Sequence, residues 1–156
     1  MSPIETEDQL MIAAAIRDIS ERKLAEEKLQ ESQQQFQAFM GTLPALAWMV
    51  DEEGVFHYCN PLYMRMFDQS GLIGKSFYDI FPEGMADEYQ RNNEIVFKSN
   101  IVLETIEPTI KPDGSHATLK IFKFPLCSKG DKKLLGGIAV DITQLIETES
   151  ALKRVN

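Results

Sequence analysis

Basic residues, cysteine and long apolar runs are all scarce in this chain of 156 residues, and each shortage removes a class of function. Sixteen Lys and Arg against 24 Asp and Glu leave a net charge of −8, a surface that repels phosphate backbones and anionic lipid heads. Neither nucleic acid nor a membrane surface is therefore an expected partner of this segment. Two cysteines, Cys59 and Cys127, cannot staple a disulfide scaffold, and such sparing use fits a reducing, cytoplasmic compartment. The apolar run at residues 10–16 is far shorter than the roughly 20 residues that cross a bilayer. The acidic opening MSPIETEDQ is unlike the basic start of a signal peptide, although a longer parent protein could be anchored elsewhere. There is no Gly-rich phosphate loop, nucleophile elbow or Ser/His/Asp set. Asp51 and His57 share one stretch with no further catalytic partner nearby in sequence.

What is present is an ordinary globular composition, 44% hydrophobic and 26% charged with 9 Gly and 7 Pro, enough for one domain and some extra chain. The extra chain carries an internal echo. Leu10-Met-Ile-Ala-Ala-Ala-Ile-Arg-Asp-Ile-Ser20 has the pattern of Lys133-Leu-Leu-Gly-Gly-Ile-Ala-Val-Asp-Ile-Thr143. Both predict a small-residue strand that ends in Asp-Ile-Ser/Thr, followed by a polar helix. Asp and Ser/Thr cap helix N-termini by accepting the unpaired amides of the first turn, and Glu21 and Gln144 stand where a capping box would close. Residues 1–20 are accordingly expected to be the last strand of a preceding domain.

Residues 21–40 contain no Gly or Pro and are dominated by helix formers. Ala25, Leu29, Ser32, Phe36, Phe39 and Leu43 recur at the spacing of a coiled-coil seam, weakened by Ala and Ser. This helix either joins two copies of the chain or packs on its own domain. Beyond it, residues 47–50 and 55–59 flank the turn Asp51-Glu-Glu-Gly54 and predict a hairpin. Asn60-Pro61 opens a short helix, since Pro suits the first helical position. Gly71, Gly74 and Pro82 break the following segment into turns around a helical turn at 76–81. A helix is expected over 86–99, then strands over 101–110, 118–126 and 134–142. Turns at 111–115 and 128–132 separate those strands, and a helix follows from Thr143. This order predicts an α+β domain, one antiparallel sheet with helices over one face. The last strands carry apolar residues on both faces, so the outer face is expected to be covered by the 21–40 helix or a second subunit.

Over residues 41–143 the sequence resembles a PAS domain, the sensory box of bacterial multi-domain signalling proteins. The resemblance rests on five pieces in order: Leu43-Pro-Ala-Leu-Ala-Trp-Met-Val-Asp-Glu-Glu-Gly54, Tyr58-Cys-Asn-Pro61, Ile73-Gly-Lys-Ser-Phe-Tyr-Asp-Ile-Phe-Pro82, Lys111-Pro-Asp-Gly114 and Gly136-Gly-Ile-Ala-Val-Asp-Ile-Thr143. It implies a five-stranded antiparallel sheet in the order 2-1-5-4-3, with short helices over one face and a flanking N-terminal linker helix. The chain would divide into a strand remnant of a preceding PAS domain (1–20), a coiled-coil-like linker helix (21–40), the PAS domain (41–143) and the start of a C-terminal signalling helix (144–156). It implies a non-enzymatic, cytoplasmic module, most naturally part of a sensor histidine kinase in two-component signal transduction, with a diguanylate cyclase as the second choice of parent.

The implied function is to sense a small molecule, or to relay strain through the strand-to-helix junction at Asp141 and Thr143, matched upstream by Asp18 and Ser20. A ligand-free module that holds a homodimer together through the N-terminal helix and outer sheet face is the alternative, and a small independent α+β enzyme a remote one. The candidate cavity lining is Trp48, Phe67, Tyr78, Tyr89, Asn93, Phe97 and Thr105, floored by Gly137 and Ala139; for the aromatic members plain core is the first reading and ligand contact the second. Flavin is not expected: the Asn-Cys-Arg-Phe-Leu-Gln motif of the light-sensing subfamily is missing, and Ala139 stands at its glutamine position. Heme is not expected either, because His57 falls in the second strand and His116 beside the Pro-Asp-Gly turn, neither on the helix that carries the family's ligand. His57, Cys59, His116 and Cys127 lack the paired spacing of a zinc site, so no metal is expected. A small organic ligand, or none, remains.

Overall fold

A computed structural model describes residues 3–67, 70–126 and 130–155. Two compact units divide the chain, residues 1–39 and residues 40–156. The first consists of most of one helix, α1 (Pro3–Thr42). The expected strand at 10–20 is not formed; these residues lie inside α1. The physical reason is local. A strand needs a neighbour to take its amides and carbonyls, whereas Ala13, Ala14 and Ala15 are the best helix formers available and satisfy their backbone groups within the helix. Asp18 and Ser20 therefore cap nothing. Asp18 sits 3.7 Å from Arg22 one turn on, both side chains more than two-thirds exposed, a pair worth little. Ala25, Leu29, Ser32, Phe36 and Phe39 are all exposed along the same helix.

The second unit holds β1 (Leu46–Asp51), β2 (Phe56–Cys59), α2 (Pro61–Met66), α3 (Phe77–Ile80), α4 (Glu83–Ser99), β3 (Leu103–Ile110), β4 (His116–Leu126), β5 (Leu134–Asp141) and α5 (Thr143–Val155). The strands form one antiparallel sheet in the order β2-β1-β5-β4-β3, the topology that the resemblance implies. The expected turn at 128–132 lies partly outside the described residues, as does Cys127.

Local sequence accounts for the β1–β2 and β3–β4 turns. Asp51 Oδ1 accepts from the amides of Glu53 and Val55 at 3.0 and 3.1 Å and so closes the first hairpin, with Gly54 at φ 81° where only glycine is unstrained. Asp113 folds the β3–β4 turn the same way through Ser115. Asn60 is fully buried and satisfied by four bonds. Its Oδ1 accepts from Ala47 and Tyr63, capping α2, and its Nδ2 donates to the carbonyls of Ala45 and Met40. One side chain thereby ties the end of α1 to β1 and α2.

The paired glycines Gly136 and Gly137 make the centre of the sheet possible. A Cβ on Gly137 would lie 2.3 Å from the indole of Trp48 on the inner face, and one on Gly136 would lie 2.4 Å from the ring of Phe124 on the outer face. Each ring lies across the glycine opposite it in the register, so β5 carries large neighbours on both sides by having no side chains of its own there. The outer face is otherwise half-buried at Phe122, Phe124 and Ile138, and exposed at Ile106 and Val140.

Candidate functional site

The inner face of the sheet and helices α2, α3 and α4 enclose one apolar core, in which Phe56, Tyr63, Phe67, Phe77, Phe81 and Tyr89 stack edge to face with centroids mostly 5–6 Å apart, the favoured aromatic geometry. Within it lies a cavity of about 20 Å³ lined by Leu46, Trp48, Tyr63, Phe67, Phe77, Phe81, Tyr89, Glu107, Thr109, Leu119, Ile121 and Lys123. That volume holds about one water molecule. In this conformation a ligand must displace side chains to enter.

The structure gathers three of the expected lining residues, Trp48, Phe67 and Tyr89, around that cavity. Gly137 lies directly beneath the Trp48 ring, and Ala139 is fully buried between Leu46 and Ile121 in the register. Asn93 and Thr105 face inward but do not line the cavity; both amide atoms of Asn93 and the hydroxyl of Thr105 are buried without a hydrogen bond. Phe97 packs half-buried against the edge of the core, beside a surface groove with Lys98, Pro125 and Leu134. Tyr78 is a correction. It is exposed, and its hydroxyl donates to Asp87 at 2.7 Å. In a four-residue helix the neighbour Phe77 takes the inward direction, and the next residue is necessarily turned about 100° away.

Sequence reasoning missed a charged pair at the cavity wall. Lys123 and Glu107, each 2% exposed at the side chain, meet at 3.2 Å. The side-chain amide of Asn92 donates to the same carboxylate oxygen, Oε1. The Lys123 ammonium stands 5.6 Å from the centroid of the Tyr89 ring, a cation–π distance. Burial pulls the ammonium below the ordinary lysine range, and attraction to Glu107 opposes this only in part. Burial also pushes the Tyr89 hydroxyl up to about 12, and that hydroxyl donates to the carbonyl of Pro108. The signal was available in the sequence. Leu119, Ile121 and Lys123 share one parity on β4, as Thr105, Glu107 and Thr109 do on β3, so a charged residue stands on each inward-facing row.

The second group of interest is the exit from β5. Asp141 Oδ1 accepts from both the amide and the hydroxyl of Thr143, at 3.0 and 2.6 Å. The Thr143 oxygen in turn accepts from the amide of Thr118 on β4 at 2.9 Å, and the Ile142 amide donates to the Thr118 carbonyl. Lys111, from the β3–β4 turn, approaches Asp141 at 3.9 Å. Burial raises the Asp141 carboxyl, but the Thr143 bonds and Lys111 outweigh it and leave it below its ordinary value.

Elsewhere, His57 Nε2 lies 3.0 Å from Asp51 Oδ2 at the rim of the first hairpin, and Asp51 is likewise held below its ordinary value by that bond and two amides despite burial. Cys59 is buried in the β1–β2 wall with its thiol pushed up to about 12 by desolvation, a packing residue with no thiolate at neutral pH. Among the described residues no three His, Cys, Asp or Glu side chains are placed to share a metal ion, and no helix is long and apolar enough to cross a membrane.

Comparison with known proteins bears on the whole second unit. The sequence profile of the PAS fold matches residues 41–147. No curated protein matches the chain significantly. Among solved structures, the PAS domain of an HTR-like protein from Haloarcula marismortui is similar at TM-score 0.64 and 18% identity, covering 77% of this chain and 99% of that one. VqmA bound to DPO is similar at TM-score 0.60 and 20% identity, covering 67% of this chain and 55% of its own; VqmA is from Vibrio cholerae, and this chain spans about half its length. A PAS domain from a two-component sensor histidine kinase is similar at TM-score 0.57 and 14% identity, covering 72% and 98%. At these identities the likeness is one of fold.

Proposed function

The chain belongs to the PAS family, a family of sensory rather than catalytic modules, and from that premise we propose that it converts occupancy of its inner cavity into a change at the β5–α5 junction. The observation that carries this reading is the place of Thr118. Its backbone holds Ile142 and Thr143, and its neighbour Leu119 lines the cavity. A shift of β4 at Leu119 therefore moves the partner on which the first turn of α5 rests. Each hydrogen bond of that clamp is worth about 1 kcal/mol, so a ligand with modest differential affinity can tip it. In a parent protein α5 would pass the change to an output domain, of which a histidine kinase is the reading favoured here; a cytoplasmic setting follows from the same proposal.

Trp48 is the single tryptophan of the chain and lines the cavity, so its fluorescence reports occupancy. The test is native mass spectrometry of the purified full chain for a retained compound, then a metabolite screen read by Trp48. Hydrogen exchange of Ile142 and Thr143 follows with each compound bound. Expected is a ligand-dependent change in protection at both amides. Ligands that fill the cavity and leave that protection unchanged would refute the relay.

The alternative, a ligand-free homodimerisation module, draws support from the small cavity and from the apolar side chains exposed along α1, among them Leu10, Ile16, Leu24 and Leu29. VqmA has been described as a dimer. Light scattering of the full chain tests it: a monomer across the working concentration range removes this reading.

A further inference from the structure

We propose that the cavity selects a neutral ligand that both donates and accepts hydrogen bonds, of the carboxamide or cyclic-amide class on a small ring, and rejects organic anions and cations. The proposal rests on the sensing reading above and names its ligand chemistry. It follows from the charge balance and the unused valences of the wall. Lys123 and Glu107 already neutralise each other at 3.2 Å, with the side chains 2% exposed. One of the three ammonium hydrogens serves that pair, and Asn92 shares the same oxygen of Glu107. The other carboxylate oxygen, Oε2, is buried without a partner, and so is the indole nitrogen of Trp48.

The wall therefore offers N–H donors from Lys123 and Trp48, a free acceptor in Glu107 Oε2, and the unpartnered hydroxyl of Thr109, which can donate or accept. An amide can serve both kinds of group: its carbonyl accepts from the ammonium, the indole or the Thr109 hydroxyl, and its N–H donates to Oε2. A carboxylate brings a second negative charge beside Glu107, with only one positive charge to balance two, and leaves Oε2 still unpartnered. An ammonium repeats the problem with the opposite sign. Burying an unbalanced ion costs several kcal/mol, while a neutral guest that satisfies both valences incurs no such cost. In the conformation described, the 20 Å³ space matches a single water, which can serve the same groups. Room for a ring comes from the wall opposite the sheet, where Tyr63 and Phe77 sit on helices of six and four residues, lengths that depend on their caps and on packing.

The experiment uses the full chain and three compounds of one shape: benzamide, benzoate and benzylamine at pH 7. Binding is read by Trp48 fluorescence and by saturation-transfer NMR. Benzamide is expected to bind at least about tenfold more tightly than either ion. The double variant Glu107→Gln with Lys123→Met, which removes both charges and leaves no orphan ion in the core, is expected to stay folded by circular dichroism and to lose that preference. Benzoate or benzylamine binding as well as benzamide overturns the proposal, as does a folded double variant that keeps the preference. If none of the three binds while a metabolite in the wider screen fills the cavity, the ligand class is wrong and the sensing reading stands. If nothing in either set perturbs Trp48, both fall together.

Discussion

Two stretches of this chain have nearly the same sequence pattern and opposite structures. Residues 10–20 and 133–143 both run from small apolar residues into Asp-Ile-Ser/Thr. The first lies within the α1 helix with its apolar side chains in solvent, and the second is strand β5 followed by a clamped helix start. The informative substitution within the pattern is Ala13-Ala14 against Gly136-Gly137. Alanine favours the helix where nothing else constrains the backbone. Glycine has no such preference, but it admits the rings of Trp48 and Phe124 from the two faces. Where strands β1 and β4 stand on either side to take up backbone groups, β5 forms; with alanines in place of the glycines, residues 10–20 satisfy their backbone groups within α1. Local sequence proposes, and available partners select.

This contrast can be broken in order of expected effect. Gly137→Ala puts a methyl group into the Trp48 ring and should destabilise the sheet domain by about 1–3 kcal/mol. The check is the denaturation midpoint followed by Trp48 fluorescence; the matching change Ala14→Gly should cost α1 about 1 kcal/mol of helix propensity and show as reduced helicity. Next is Thr143→Val, which removes the hydroxyl's bonds to Asp141 and to the Thr118 amide while the Thr143 amide keeps its bond to Asp141. A loss of about 1–2 kcal/mol is expected, with faster hydrogen exchange at the Thr118 amide and in the first turn of α5.

A smaller effect is expected from acid. The Asp141 carboxyl lies below its ordinary 3.8 in the folded chain. The folded state therefore binds its proton less readily than the unfolded one, and the stabilisation is complete above pH 3.8 and lost as pH falls through the folded value. Asp141→Asn should be less stable at neutral pH and should show a shallower acid limb in denaturation midpoints taken from pH 6 down to pH 2, each an approximate bound set by that titration. The smallest is Ser20→Ala, the counterpart of Thr143. It should change helicity by only a few tenths of a kcal/mol, in the stabilising direction, and a substantial loss would mean that Ser20 has a partner after all.

The domain between the two copies was legible because its turn chemistry is explicit. Asp51-Glu-Glu-Gly54, Asn60-Pro61 and Lys111-Pro-Asp-Gly114 each fold by side-chain bonds to amides a few residues away, so the β1–β2 and β3–β4 hairpins and the start of α2 follow from local rules. The cavity was legible only in part. Trp48, Phe67 and Tyr89 were placed at the cavity on aromatic character, and Gly137 and Ala139 beneath it on strand parity. Tyr78 was misplaced because a four-residue helix cannot turn both of its neighbouring rings inward. Lys123 and Glu107 were passed over because charged residues are ordinarily solvated, although both stand on inward-facing rows of their strands.

The sequence by itself determined the turns at 51–54 and 111–114, the Asn60 cap of α2 and the glycine pair at the middle of β5, because each of these is decided within a few residues by backbone geometry and nearby donors. Only the tertiary structure decided that residues 134–141 are a strand while residues 10–20 are a helix. It alone decided that Lys123 and Glu107 meet inside the core and that Thr118 links the cavity wall to the start of α5. Those outcomes join residues 16 to 25 positions apart, and the energy that fixes them, burial and hydrogen bonding across the sheet, exists only once the strands lie side by side.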